Sequence, residues 1–299
     1  MAQPPILIAV ETNDMGQHVW QVGARVAEVL EQPVHVVNVV QPAVSVYADL
    51  NFAPLMEYSN EWQRALVKDN KSYIRHMSSK LNCDNVSVKE GQPKLEICAT
   101  AERVGAQTIV MGVHNRRGFQ RLLGSTTHGI LNNCQCNVLA VHPDSTAEPY
   151  KKVLIAVDGA SLTSTVLRRV KAIAPNAEHQ LFSVLIPVAT AFAATSGITQ
   201  PAWSLTDLAK DIERETRAGI REAAIEADWI GADEQLELEL IVGEPSEEIV
   251  ARATEWGADL IIMGSENKNA WSRALLGSTA RSVLNQTPCD VLVCREQDA

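Results

Sequence analysis

Leu260-Ile261-Ile262-Met263-Gly264 is an apolar run that stops on a glycine, and Thr108-Ile109-Val110-Met111-Gly112 repeats it at an offset of 152 (264 less 112). A run this short, unbroken and rich in β-branched residues predicts a strand buried on both faces. Its surroundings repeat as well. Ile6-Leu7-Ile8-Ala9-Val10-Glu11 matches Val153-Leu154-Ile155-Ala156-Val157-Asp158 at an offset of 147 (158 less 11). Leu122-Leu123-Gly124-Ser125-Thr126 matches Leu275-Leu276-Gly277-Ser278-Thr279 at 153 (277 less 124), and Cys136-Asn137-Val138-Leu139-Ala140-Val141 matches Cys289-Asp290-Val291-Leu292-Val293-Cys294. Matches in one order at a nearly constant offset identify a tandem duplication. The copies are expected over residues 1–146 and 150–299, joined by a proline-bearing linker around 142–152.

Each copy alternates strand and helix patterns. In the first, strands are predicted near Ile6–Val10, Val34–Val40, Asn85–Glu90, Gln107–Gly112 and Asn137–His142. In the second they fall near Lys152–Val157, Gln180–Ile186, Gln235–Val242, Asp259–Gly264 and Asp290–Cys294. Trp62, Leu66, Tyr73, Met77 and Leu81 trace one helical stripe, and Leu205, Leu208, Ile212, Gly219, Ile220, Ala223 and Ala227 another. Both stripes read as core. Apolar strands joined by helices require right-handed crossovers and a covered parallel sheet. The predicted fold class is therefore α/β: two tandem, doubly wound, open parallel five-stranded sheets of Rossmann-like type. Such sheets bind ligands beyond the carboxyl ends of the strands, where the strand order reverses.

The bulk numbers agree with that class. A chain of 299 residues with 46% hydrophobic and 21% charged residues has enough apolar mass for two cores. No run reaches the roughly 18 apolar residues of a membrane span, and the N-terminus runs straight into a strand, so a cytoplasmic protein is expected. The net charge of −10 divides into −2 over residues 1–148 (12 basic, 14 acidic) and −8 over the rest (14 basic, 22 acidic), which argues against a nucleic-acid partner. The six cysteines are expected as reduced, buried thiols rather than bridges, and the lone Cys134-x-Cys136 pair has no partner pair at zinc spacing.

The chemistry lies after the first and fourth strands. The second copy reads Gly264-Ser-Glu-Asn267, nine residues, then Gly277-Ser278-Thr279; the first reads Gly112-Val-His-Asn115, eight residues, then Gly124-Ser125-Thr126. A strand-end glycine lets the backbone turn sharply and approach a ligand. The later Gly-Ser-Thr opens a helix, whose free amides and dipole favour phosphate. Ser278 and Ser125 either add a hydroxyl to that cradle or cap the helix. Asp158, with Glu11 at the matching place, either accepts hydrogen bonds from a ribose or base or caps the following helix.

The strand ending in Asp158, the helix start Gly243-Glu-Pro245-x-x-x-Ile249, the run Ala258-Asp259-Leu-Ile-Ile-Met-Gly264 and Gly277-Ser278 together resemble the universal stress protein family. The resemblance covers both halves, so the chain resembles a tandem member of it, in the wider adenine-nucleotide alpha hydrolase-like fold group. It implies ATP as cofactor, with Mg²⁺ accompanying the phosphates. Gly264, Gly277 and Ser278 would surround the phosphates with Asn267 and Thr279 beside them, Asp158 the adenine or ribose, and Val184 would offer backbone to the base. The first-copy counterparts are Gly112, Asn115, Gly124, Ser125, Glu11 and Val39. Two departures stand out. Asparagine replaces the motif's second glycine in both copies, a substitution tolerant of left-handed backbone. The first copy also has a shorter loop and glutamate for aspartate, which makes the second the better nucleotide site. Arg116, Arg117 and Arg121 nevertheless make the first loop the more basic.

No nucleophile elbow, Walker A motif, zincin helix or kinase signature is present. The leading expectation is a stress-response module that binds an adenine nucleotide or another phosphate-bearing ligand, with at most slow ATP hydrolysis. The alternative is a nucleotide-free tandem scaffold or dimerisation protein, with an apolar ligand between domains. Insertions at 41–56 and 188–201 read as lids, cavity linings or plain surface loops. The last strand of each copy is an edge that the family commonly uses to dimerise, which implies an intrachain pseudo-dimer or a homodimer.

Overall fold

The computed structural model describes residues 3–42, 55–80, 83–113, 124–187, 202–265 and 276–296. The chain forms two compact units, Met1–Glu148 and Pro149–Ala299. The insertion cores at 43–54 and 188–201 lie outside the described residues, as do Asn115, Asn267 and the loop arginines.

In the first unit, strands β1 (Ile6–Ala9), β2 (Val34–Val40), β3 (Val86–Glu90), β4 (Thr108–Gly112) and β5 (Asn137–Val141) alternate with helices α1 (Asp14–Val29), α2 (Leu55–Lys80), α3 (Pro93–Val104) and α4 (Ser125–Asn133). The sheet order is β3-β2-β1-β4-β5, with parallel pairing throughout. The second unit repeats this with β6 (Lys152–Ala156), β7 (Glu178–Leu185), β8 (Leu238–Val242), β9 (Leu260–Gly264) and β10 (Asp290–Cys294). Its helices are α5 (Thr163–Ile173), α6 (Ala202–Glu226), α7 (Pro245–Trp256) and α8 (Ser278–Gln286), and its order is β8-β7-β6-β9-β10. In each unit the chain winds outward over three strands and returns to begin the other half beside the first. The crevice between the first and fourth strands is thus a switch point, where the ends of both strands open toward a ligand.

The central strands are buried from end to end: Ile6, Leu7 and Ile8, Ile109 and Val110, Val153 to Ile155 and Leu260 to Ile262 are all fully enclosed. Covering helices on both faces explain why these strands lack alternation. The third helix starts and stops the same way in both units. Pro93 and Pro245 open α3 and α7, where a missing N–H costs nothing, and Gly105 (φ 68°) and Gly257 (φ 70°) end them in left-handed conformation.

Two expectations are corrected. Trp62 leaves the helical stripe and is 58% exposed, whereas Val67, Ile74 and Met77 are buried on that helix. Cys98 and Cys134 are joined by a disulfide, with Cα atoms 5.6 Å apart. One lies in α3 and the other caps the C-terminus of the neighbouring helix α4, so packing brings together thiols that stand 36 residues apart. Cys83 and Cys136 are half-buried free thiols, and Cys289 and Cys294 buried ones.

Candidate functional site

At the switch point of the second unit lies a cavity of about 500 Å³. Its lining includes Asp158, Val184, Gly264, Gly277, Ser278 and Thr279, residues contributed by β6, β7, β9 and the start of α8. The equivalent cavity of the first unit measures about 100 Å³ and is lined by Glu11, Val39 and Gly112 together with Met15, Pro93 and Thr126. Pockets that take small molecules run from about 300 to 1,000 Å³, so only the second lies in that range.

The local structure of each candidate follows from its sequence. Asp158 is exposed, and its Oδ1 accepts from the Ala160 amide at 3.0 Å, closing an Asx turn. Helix α5 begins five residues later with Leu162 at its N-cap, so of the two readings of Asp158 the helix cap is removed. In the first unit the cap falls to Asn13, whose side chain accepts from the Gly16 amide at 2.8 Å. Asn13 Nδ2 also donates to Glu11 Oε2 at 2.7 Å, which ties that carboxylate back toward its own loop.

The two strand-end glycines owe their identity to crowding rather than to an unusual turn. A Cβ on Gly264 would sit 3.3 Å from Cβ and Cδ1 of Leu162, and one on Gly112 would sit 2.9 Å from Met15 Cε. The starts of α5 and α1, the helices that follow β6 and β1, therefore pack on the ends of β9 and β4. Farther along, Gly277 (φ −59°, ψ 152°) and Gly124 (φ −57°, ψ 148°) are the N-caps of α8 and α4 in nearly the same geometry. Ser278 and Ser125 follow as the first helical residues, so neither serine is the cap. Ser278 is exposed at the mouth of the α8 N-terminus, where the first amides of the helix lack intrahelical partners.

The units also differ beneath the crevice. Val10 and Val157 make equivalent backbone bonds, to Val37 and Phe182 respectively, which sets Asn38 level with Ser183. Asn38 is buried with a partner on each side of its amide: its Nδ2 donates to the Val10 carbonyl and its Oδ1 accepts from Asn70 Nδ2, each at 2.9 Å. Ser183 is as deeply buried, yet its Oγ has no partner; the Thr163 Oγ1 at the start of α5 is in the same condition. Neither hydroxyl was singled out from sequence. The available signal was a serine interrupting the apolar run Leu181-Phe182-Ser183-Val184-Leu185. Gly219, placed in the apolar stripe of α6, instead allows that helix to approach the loop after β6: its Cβ would lie 3.2 Å from the carbonyl of Gly159, itself left-handed at φ +75°.

Sequence and structure comparisons agree with this architecture. The universal stress protein family model matches twice, over residues 4–142 and 149–295. A universal stress protein of Mycobacterium tuberculosis is 23% identical over 297 residues, covering 97% of this chain and 96% of its own length. One from Methanocaldococcus jannaschii is 28% identical over 148 residues, covering 49% of this chain and 83% of its own. Among solved structures, a universal stress protein from Archaeoglobus fulgidus shares the fold with a TM-score of 0.65 at 18% identity, covering 99% of each chain. With two matches that together span most of its length, the chain belongs to the universal stress protein family.

Proposed function

We propose that the chain is a tandem universal stress protein, with domains 1–146 and 150–299, whose second domain binds an adenine nucleotide, ATP in the first instance, and acts through occupancy rather than turnover. The observation that carries the reading is the cavity of about 500 Å³ that gathers Asp158, Val184, Gly264, Gly277 and Ser278 around one switch point. In this reading the amides at the start of α8 and the Ser278 hydroxyl hold phosphate, and Asp158 and the Val184 backbone face the ribose and base. Asp158 is the one titratable side chain among the described lining residues. In this reading Mg²⁺ accompanies the nucleotide as the counter-ion of its phosphates. No described helix is long and apolar enough to cross a membrane. A cytoplasmic setting is part of this same reading.

A second role is favoured for the first domain. Its cavity of about 100 Å³ is too small for a nucleotide, and the domain serves as a structural partner. Isothermal titration of ATP into the intact chain tests both assignments. The expected result is binding heat that Gly277→Val removes and Gly124→Val leaves in place. Absence of heat with the unaltered chain, or full heat with Gly277→Val, refutes the second-domain site.

A further inference from the structure

The two unpartnered hydroxyls in the second unit are absent from the first by sequence, not by conformation. Leu162 and Met15 occupy matching places against the strand-end glycines, so Thr163 stands where the first unit has Gly16. Ser183 stands where it has Asn38. The first unit thus carries no side chain at one position and a satisfied amide at the other. The second carries a hydroxyl at each: Thr163 is 2% exposed, Ser183 is 1% exposed, and neither Oγ1 nor Oγ meets a partner. Both residues line the large cavity. A buried hydroxyl without a hydrogen bond opposes folding, so a chain that places two of them beside an open cavity leaves them for something that enters it.

Their position and chemistry say which part of a ligand they meet. Ser183 precedes Val184 on β7, two strands from β9 and its glycine; Thr163 opens the helix that follows Asp158. A hydroxyl is neutral and can donate or accept, which suits an uncharged edge bearing both a ring nitrogen and an amino group, whereas the acceptor-only phosphate is served by the amides at the start of α8. We propose that Thr163 and Ser183 are specificity-determining residues that hydrogen-bond the heterocycle of a nucleotide held in the second unit. The assignment rests on the nucleotide reading above.

The test titrates adenosine, ATP and inorganic tripolyphosphate into the full chain and into Thr163→Val and Ser183→Ala. Each substitution is expected to weaken adenosine and ATP by about fivefold to tenfold, the worth of one hydrogen bond. Tripolyphosphate binding stays unchanged, and the urea midpoint of the ligand-free second unit stays level or rises because an unsatisfied group has been removed. Unchanged adenosine and ATP affinities in both variants, alongside binding by the unaltered chain, overturn the inference alone. A fall in midpoint with unchanged affinity assigns the hydroxyls to ordered internal water, and an equal loss for tripolyphosphate assigns the effect to cavity distortion; both overturn it. An unaltered chain that binds neither ATP nor adenosine overturns the nucleotide reading and this inference with it.

Discussion

Removing the Cys98–Cys134 bridge should destabilise the first unit and leave the second untouched. The gentlest removal copies the matching residues of the second unit, Cys98→Val and Cys134→Thr, since Val250 and Thr287 occupy those places there without a bridge. The bridge closes a loop of 36 residues. In the chain-entropy model a loop of that length restricts the unfolded chain by about 4 kcal/mol, and typical measured values run from about 2 to 4. With a urea dependence of about 2 kcal/mol per molar, the midpoint of the first unit should drop by roughly 1–2 M. Urea-dependent hydrogen exchange, read separately on peptides covering Ile6–Ala9 and Lys152–Ala156, resolves the two units within one chain. The β1 peptides should lose protection at lower urea in the double variant, and the β6 peptides should not. A dithiol reductant acting on the unaltered chain should reproduce the shift. An unchanged β1 midpoint, or six reactive thiols in the unfolded but unreduced chain, would refute the argument.

Two further outcomes follow from the titrating groups. Burial pushes the Cys289 and Cys294 thiols up to about 12, so near pH 8 they remain protonated and shielded. Iodoacetamide should therefore modify half-buried Cys136 well before either of them, and mass mapping that finds Cys289 or Cys294 labelled first would contradict this. Burial, with Arg103 and Lys89 adding repulsion, holds His35 below the ordinary histidine value of 6.5. Its neutral form favours the fold, so that contribution is complete above pH 6.5 and is lost as pH falls from there through the folded value. An imidazole NMR titration should show the midpoint below 6.5, and His35→Gln should flatten this part of the first unit's acid sensitivity; a midpoint at or above 6.5 would refute the assignment.

The sheets were legible because a strand buried on both faces cannot hide its composition: Leu260 to Gly264 has no other plausible reading than a central strand. Strand ends were less so. β7 begins at Glu178, two residues before its expected start at Gln180, because Lys152 pairs with Glu178 across the sheet; β8 begins only at Leu238, opposite Leu181. Register, set by partners distant in sequence, decides such limits. The glycines of the site were visible for a partly mistaken reason. Leu162 and Met15 crowd the space a Cβ would take on Gly264 and Gly112, a contact between elements that local sequence does not display. The disulfide was hidden for a similar cause, since pairing depends on how α3 meets α4 and not on cysteine spacing. Ser183, a single polar residue in an apolar run, and Thr163, one of several hydroxyl residues from Ser161 to Thr165, carry no sign in the sequence of whether they have a partner.

The asymmetry at Asn38 and Ser183 has a thermodynamic consequence. At the matching position of the first half, Asn38 and Asn70 bond within the protein. Where Ser183 and Thr163 do not, a nucleotide held as proposed above would stabilise the second half, by about 2.7 kcal/mol at a hundred times its dissociation constant. On that proposal the melting of the second half would track the surrounding ligand level while that of the first held still. A single chain so built carries its gauge and its fixed reference side by side.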